Sequence, residues 1–372
     1  MSEEKGCVEI VYATNEGYLP MLGVSLYSLV RRTSETRQYR ITILEEDISA
    51  AGKARILALQ RPNVRIRFVD VAPWMERYRI PTVNHLSKET AYRLVVDRIF
   101  PGTEKLLYID VDTIVCHDVA ELFDVEIGEA VLGVARARIV KNMLGFIHEL
   151  KIPVADYFNA GILLINVPVF REKQLGVRAL ELLEQHPYPC QDQDVLNILC
   201  HGEVCFLDSK WNVEWQHLAF PEFGVYVDDV RRGTLEDIYH PYILHYASSR
   251  KPWNHPEYPL ADRWWAEARS AGFAQKAAAM VRNQMSSRGG QTSSDGLFSH
   301  GISFARENES IFMAAGLSDE RMSGSWRLRS MRKCVASLTE RQRMSSVSMR
   351  ALSVITNGKR RRNGTARRLS SP

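Results

Sequence analysis

Residues 104–115 read EKLLYIDVDTIV. Leu106 to Ile109 form a short apolar run that ends on two aspartates separated by Val111. A buried strand has no use for two carboxylates at its end, so the run marks a strand that delivers charge to a sheet edge. Side chains at i and i+2 of an extended chain point to the same side. At the carboxyl edge of an open α/β sheet, Asp110 and Asp112 would face the crevice where such folds bind ligands. Two carboxylates converging there repel unless a cation sits between them. Mn²⁺ and Mg²⁺ take such oxygens together with phosphate oxygens. Two solvated loop aspartates are the plainer alternative.

The surrounding chain supports a sheet. Residues 7–13, 39–45 and 63–70 read as strands, with an apolar helical stretch from Leu19 to Val30 and a helix capped by Ser49 running to Gln60 between them. Ser87 is an N-cap for a helix over 88–99, stopped by Phe100-Pro101-Gly102. Strands alternating with helices imply an α/β fold with a mostly parallel sheet and helices on both faces. Further on, residues 130–136, 161–166, 203–208 and 242–246 read as strands, and 169–185 and 192–200 as helices. From 284 to 301 the sequence QMSSRGGQTSSDGLFSHG reads as linker.

Composition divides the chain in two. It has 372 residues, 45% hydrophobic and 25% charged, which suits one large α/β domain or two smaller ones. From Arg321 onward there are 14 Lys/Arg and one acid, Glu340, a net of +13; the remainder holds 34 basic and 43 acidic residues, a net of −9. A basic tail on an acidic body suggests an anionic surface as partner. The N-terminal MSEEKG lacks the pattern of a secretory leader, and no window has the roughly 18 apolar residues that span a bilayer. The six cysteines form no Cys-x-x-Cys pair and read as reduced thiols of a cytoplasmic protein.

Other constellations carry chemistry. In HYASSRKPWNH (245–255), His245 ends an apolar strand and offers a nitrogen ligand, which suits Mn²⁺ better than Mg²⁺, and Lys251 offers a point charge to a phosphate. A capped strand with an exposed lysine is the alternative. QDQD (191–194) opens a helix, so Asp192 and Asp194 fit as first-turn acids, or Asp192 and Gln193 face a hydroxyl-rich ligand. Asn159, Ala160 and Gly161 precede a buried strand, where small residues admit a ligand to the backbone or simply turn the chain. Asn15, Glu16 and Tyr18 lie where a nucleotide base sits in a doubly wound fold. There is no Gly-x-x-x-x-Gly-Lys-Ser/Thr, no Gly-x-Gly-x-x-Gly after the first strand and no Gly-x-Ser-x-Gly, which argues against P-loop NTPases, standard dehydrogenases and α/β-hydrolases.

The order of these pieces resembles the retaining glycosyltransferases of family 8, the group that includes glycogenin and bacterial lipopolysaccharide or lipooligosaccharide galactosyl- and glucosyltransferases. The stretches are IVYATNEGYLPMLGVSL (10–26), AYRLVVDRIFP (91–101), KLLYIDVDTIV (105–115), YFNAGILLINVPVFR (157–171), QDQDVLN (191–197) and HYASSRKPW (245–253). The resemblance implies a nucleotide-diphospho-sugar transferase fold of GT-A type: a mixed, mainly parallel sheet flanked by helices, over residues 1–270. Residues 271–372 would be linker and basic C-terminal extension.

By resemblance, Asp110, Asp112 and His245 hold Mn²⁺ (Mg²⁺ as the alternative) against the diphosphate of a UDP-sugar, with Val111 between the aspartates, and Lys251 grips that diphosphate. Ala13, Asn15 and Tyr18 contact the uridine. Arg93 lies beside the donor sugar, and Asn159, Ala160, Asp192 and Gln193 line it, with Gln193 nearest its reacting face.

Two departures stand out. Ser248 replaces the glycine of a His-x-x-Gly-x-x-Lys-Pro-Trp pattern, adding a side chain near the phosphate, and Asn15 stands where an acid is common. The implied enzyme is a metal-dependent retaining hexosyltransferase acting on a saccharide acceptor, lipid-linked, in lipopolysaccharide or other surface-glycan synthesis. It would be peripheral on the inner face of the membrane through its tail. The alternatives are a catalytically impaired UDP-sugar-binding relative and a nucleic-acid-binding protein led by the basic tail, which the acidic body disfavours.

Overall fold

The computed structural model describes residues 6–81, 87–139, 143–214, 240–256 and 260–288. β1 (Val8–Ala13) is buried along its whole length, as a strand covered on both faces must be. A 3₁₀ turn over Glu16–Tyr18 leads into α1 (Leu19–Val30), whose LPMLGVSLYSLV is buried almost all round. β2 (Tyr39–Glu45), α2 (Ala50–Leu57) and β3 (Val64–Asp70) follow. The Ser49 hydroxyl caps α2 by accepting from Gly52 N–H at 3.0 Å.

The helix expected over 88–99 is instead a 3₁₀ helix, Lys88–Val95, running into one turn of α-helix, α3 (Val96–Ile99). Ser87 makes no side-chain cap there. Five consecutive residues, Ala91 to Val95, are buried, which a helix with one wet face does not permit. Arg93 Nε takes the carbonyl of Thr90, three residues back, at 2.9 Å.

β4 (Lys105–Ile109) then reaches the sheet centre, followed by β5 (Thr113–Val115), β6 (Leu132–Arg136) and β7 (Phe158–Asn166). The helix expected over 169–185 is two, α4 (Val167–Glu172) and α5 (Leu175–Gln185), broken at Gln174 with φ 52°. The break redirects the chain so that Gly176 can press on the Leu94 carbonyl, where a Cβ would lie 2.1 Å from the oxygen. α6 (Asp192–Cys200), β8 (Val204–Phe206), β9 (Val213–Glu214) and β10 (Ile243–His245) complete the described framework, with α7 (Ala261–Ser270) and α8 (Ala274–Arg288) behind α1. The first residues of the stretch read as linker, 284–288, continue α8. The Phe273 ring closes over Gly23, where a Cβ would stand 2.4 Å from it. Burying such a ring contributes about 2 kcal/mol. The basic tail lies outside the described residues.

The main sheet has seven strands in the order β3-β2-β1-β4-β7-β6-β8. Only β7 opposes the rest; β1–β2, β2–β3, β1–β4 and β6–β8 are parallel. This is the mixed, mainly parallel α/β sheet that the sequence implied. One apolar cluster fills the α1 side and another the α5–α6 side. A second, three-stranded sheet, β5-β10-β9, was not foreseen. Strand order reverses between β1 and β4, so their carboxyl ends frame the crevice that binds ligands in open α/β sheets. Among the described residues no helix is long and apolar enough to cross a membrane.

Candidate active site

Asp110 stays with the main sheet, its N–H donating to Gly161 O at 2.8 Å. The chain then bends, and Asp112 joins the small sheet by accepting from Tyr246 N–H at 2.9 Å. The convergence of the two side chains therefore comes from a bend between sheets, and the alternation expected of one extended strand does not apply. Two serines of α1 hold the far side of that bend: Ser25 Oγ lies 2.7 Å from Thr113 Oγ1, and Ser28 Oγ accepts from Val115 N–H at 2.8 Å. Val111 sits in the bend, packed on the core.

His245 ends β10, and one ligand atom from each of Asp110, Asp112 and His245 lies within 4.8 Å of the others. The outer oxygens are committed. Asp110 Oδ1 accepts from Arg93 Nη2 at 2.8 Å and Tyr108 OH at 2.9 Å, while Asp112 Oδ2 accepts from Lys251 Nζ. The inner oxygens, Asp110 Oδ2 and Asp112 Oδ1, lie 3.8 and 3.2 Å from His245 Nε2. Each aspartate thus turns one oxygen to a protein cation and one to a shared space. Two carboxylate oxygens and an imidazole nitrogen make a donor set that fits a divalent cation. Gly161 lines that space: a Cβ there would lie 2.3 Å from His245 Cε1 and 2.8 Å from Asp110 Oδ2.

Burial alone would raise the Asp112 carboxyl, but Lys251 and His245 outweigh it and hold it well below the usual carboxylate range. Burial would lower His245, but Asp112 outweighs that and raises it. Arg93 is buried, and its donors go to Thr90 O, Ala160 O and Asp110, with Asp192 Oδ2 3.0 Å from Nε. Its guanidinium stacks on Tyr108 at 4.1 Å. This arginine therefore bridges Asp110 and the first acid of α6, Asp192.

The predicted lining residues meet there too. Asn159 Nδ2 donates to Gln193 Oε1 at 3.1 Å, and Ala160 N–H donates to the same oxygen at 3.2 Å. Asp110, Asp112, His245, Lys251, Arg93, Asn159, Ala160, Asp192 and Gln193 so form one connected set. Ala13 and Asn15 follow from the end of β1; the Asn15 side chain is a local cap, accepting from Tyr18 N–H at 3.0 Å. Tyr18 meets Trp253 edge to face at 6.3 Å, which joins the first loop to the Lys-Pro-Trp segment. Sequence reasoning missed Asn212, whose Oδ1 lies 2.8 Å from His245 Nδ1, and Tyr108. Tyr108 had a signal, since it lies two residues before Asp110 on one strand face.

Ser248 has φ 151°, a conformation that side-chain-bearing residues rarely adopt. Its hydroxyl turns back onto its own loop, donating to Arg250 O at 3.1 Å and accepting from Arg250 N–H at 3.2 Å. Relief of the strain outweighs loss of those two bonds, so Ser248→Gly is expected to stabilise the protein by about 1 kcal/mol. Urea unfolding measures it, and a lower midpoint would show that the hydroxyl matters more.

Burial raises both Asp192 and Asp194 to about 6, offset in part by Arg93 at Asp192 and by Tyr157 at Asp194. A carboxyl raised on folding stabilises the fold below its unfolded value, about 3.9, and loses that contribution as pH rises through its folded value. Relative to Asp194→Asn, the wild type should therefore lose about 2 kcal/mol between pH 4 and pH 7. A pH-independent difference in urea stability would contradict this.

The match to known proteins covers the same ground. The family described as Glycosyl transferase family 8 matches residues 9–256. A putative glycosyltransferase of Haemophilus influenzae is 28% identical over 210 residues, 55% of this chain and 63% of that protein, so the chain spans less than two thirds of that relative's length. The lipopolysaccharide 1,3-galactosyltransferase of Salmonella typhimurium is 24% identical over 274 residues, 70% of this chain and 77% of that protein. The crystal structure of galactosyltransferase LgtC with donor and acceptor sugar analogues is 27% identical with a TM-score of 0.58, covering 71% of this chain and 96% of that one.

Proposed function

Because the chain belongs to glycosyl transferase family 8, we propose that it moves a hexose, galactose or glucose, from a UDP-sugar to a saccharide hydroxyl with retention of anomeric configuration. The observation that carries the proposal is the convergence of Asp110 Oδ2, Asp112 Oδ1 and His245 Nε2 at the carboxyl edge of the sheet. These three residues would hold the cation, Mn²⁺ in preference to Mg²⁺ given the nitrogen. When bound, it would supply Lewis-acid neutralisation of the diphosphate.

The chain's own groups do the rest. UDP leaves with growing negative charge, and Lys251 offers a fixed cation beside the cation site to receive it. Tyr18, Ala13 and Asn15 receive the uridine, with Trp253 backing Tyr18. Ser248 borders the diphosphate side. Asp192 and Asn159 orient the sugar hydroxyls, with Arg93 holding Asp192 in place.

Gln193 Oε1 already accepts two N–H donors, and an amide is a poor nucleophile. That favours attack by the acceptor on the face the UDP leaves, with a donor phosphate oxygen taking the acceptor proton. A lipopolysaccharide acceptor is supported by the name of the Salmonella relative. Anchorage of the tail after Glu320 to anionic lipid would bring the enzyme to it, at about 1 kcal/mol per contacting Lys/Arg.

The test is UDP release from a panel of UDP-sugars without acceptor, with Mn²⁺ or Mg²⁺ and then with EDTA. Slow hydrolysis of one sugar, lost in EDTA, is expected. Absence of hydrolysis together with absence of metal-dependent UDP binding would overturn the proposal in favour of an impaired relative.

A further inference from the structure

Behind His245 the side chains form a chain in which every hydrogen bond points the same way. Two backbone amides set its direction. Gly161 N–H donates to Asn159 Oδ1 at 2.8 Å, and Ala160 N–H donates to Gln193 Oε1 at 3.2 Å. Those bonds decide which end of each side-chain amide is oxygen. Asn159 Nδ2 must then donate to Gln193 Oε1, at 3.1 Å, and Gln193 Nε2 to Tyr157 OH, at 3.1 Å. The Tyr157 hydroxyl donates onward to Asp194.

On the other side, Asn212 Nδ2 donates to Asn159 Oδ1 at 2.9 Å. Asn212 is thereby left presenting its oxygen to His245 Nδ1, at 2.8 Å. The reverse orientation would set two amide oxygens against each other. An oxygen at Nδ1 requires a proton there, so when the ring gives up its other proton, as a cation ligand must, the lone pair appears on Nε2, facing Asp110 and Asp112. Asn212 is itself buried, between the 3₁₀ turn Ser209–Trp211 and β9, so water does not compete for these bonds.

We propose that Asn212 is a positioning residue that fixes His245 as an Nδ1–H, Nε2-presenting imidazole and, through Asn159, ties that ring to the orientation of the Gln193 amide. This rests on reading Asp110, Asp112 and His245 as a metal site. A hydrogen-bonded partner on the outer nitrogen sets the tautomer and ring orientation of a metal-binding histidine, and its loss typically costs 10- to 100-fold in metal affinity. Bonds chained in one direction also polarise one another.

Two variants separate the two halves. Asn212→Asp keeps an acceptor for His245 Nδ1–H but puts oxygen where Asn159 Oδ1 needs a donor. Asn212→Leu removes both at similar volume. Mn²⁺ alone is titrated into each full-length protein by calorimetry, and UDP-sugar hydrolysis is measured in parallel. The Asp variant should bind Mn²⁺ at least as tightly as wild type, and the Leu variant about 10- to 100-fold more weakly. Both should lose hydrolysis, the Asp variant in kcat with KM little changed. Equal Mn²⁺ affinity in wild type and Leu variant would overturn the tautomer assignment. Full hydrolysis by the Asp variant would overturn the coupling to Gln193.

Should wild type bind no Mn²⁺, the metal reading fails on its own. The ¹⁵N shifts of the His245 ring then decide: Nδ1–H in wild type and Asp variant but altered in Leu supports the assignment, and identical rings in wild type and Leu reject it. If the Leu variant does not fold, the Asp variant decides alone, since loss of Mn²⁺ affinity there contradicts the acceptor role.

Discussion

Asp112→Asn is expected to remove cation binding and to lower UDP-sugar turnover by on the order of 10³-fold or more, because neutralising a leaving diphosphate is worth several kcal/mol. The same change should destabilise the protein. Asp112 is the shared partner of Lys251 and His245, both buried. Removing one member of a buried ion pair typically costs 3–5 kcal/mol (roughly) because the other charge is stranded. The sign with pH follows from the depressed carboxyl: its stabilisation is present above about pH 4 and disappears as pH falls toward its folded value, so wild type and variant should converge in acid. Asp110→Asn separates chemistry from folding. Its side chain is 26% exposed, so its loss should cost less stability for the same loss of turnover. A folded Asp110→Asn protein with undiminished metal-dependent turnover would sink the site assignment.

Gly161→Ala should come close to that effect without replacing a charged side chain. The added methyl would stand 2.3 Å from His245 Cε1, 2.8 Å from Asp110 Oδ2 and 3.0 Å from Asn159 Oδ1. None of the three can retreat easily. His245 is held by Asn212, Asn159 Oδ1 by Gly161 N–H, and Asp110 by Arg93 and Tyr108. Overpacking of this kind costs about 1–3 kcal/mol, and displacement of the imidazole should weaken Mn²⁺ binding at least about 100-fold. Calorimetric titration alongside thermal melting measures both. Wild-type affinity in the variant would mean that His245 is not a ligand.

Much of this was legible because it depends on local pattern. The apolar runs at 8–13, 39–45 and 105–109 could be little else than strands, and the aspartates after the last of them suggested an edge site while leaving solvated loop aspartates as an alternative. What escaped depends on contacts distant in sequence. The tight winding of Lys88–Val95 comes with contacts far along the chain, Tyr92 reaching Glu46 and Arg93 reaching Asp110. The break at Gln174 follows from Gly176 meeting Leu94. Asn212 looks like an ordinary loop residue until β9 is laid beside β10. Ser248 and Gly161 were noticed as small or substituted positions. Their meaning lies in a backbone angle and in the space taken by His245, and neither is written in the neighbouring residues.

The candidate cation site straddles two sheets, and its third donor comes from a strand that enters the chain late. Asp110 and His245 are 135 positions apart. At about 5–20 residues per second, a ribosome needs on the order of 10 s to span that interval. Through that time β1, β2, β3 and β4 can already pair, while both carboxylates wait without the imidazole. Closing so distant a contact is entropically the late step. A nascent chain released before residue 245 would hold Asp110 against Arg93 and Tyr108 but leave Asp112 without either of its partners, His245 and Lys251, so the three-donor set reports that synthesis has passed His245.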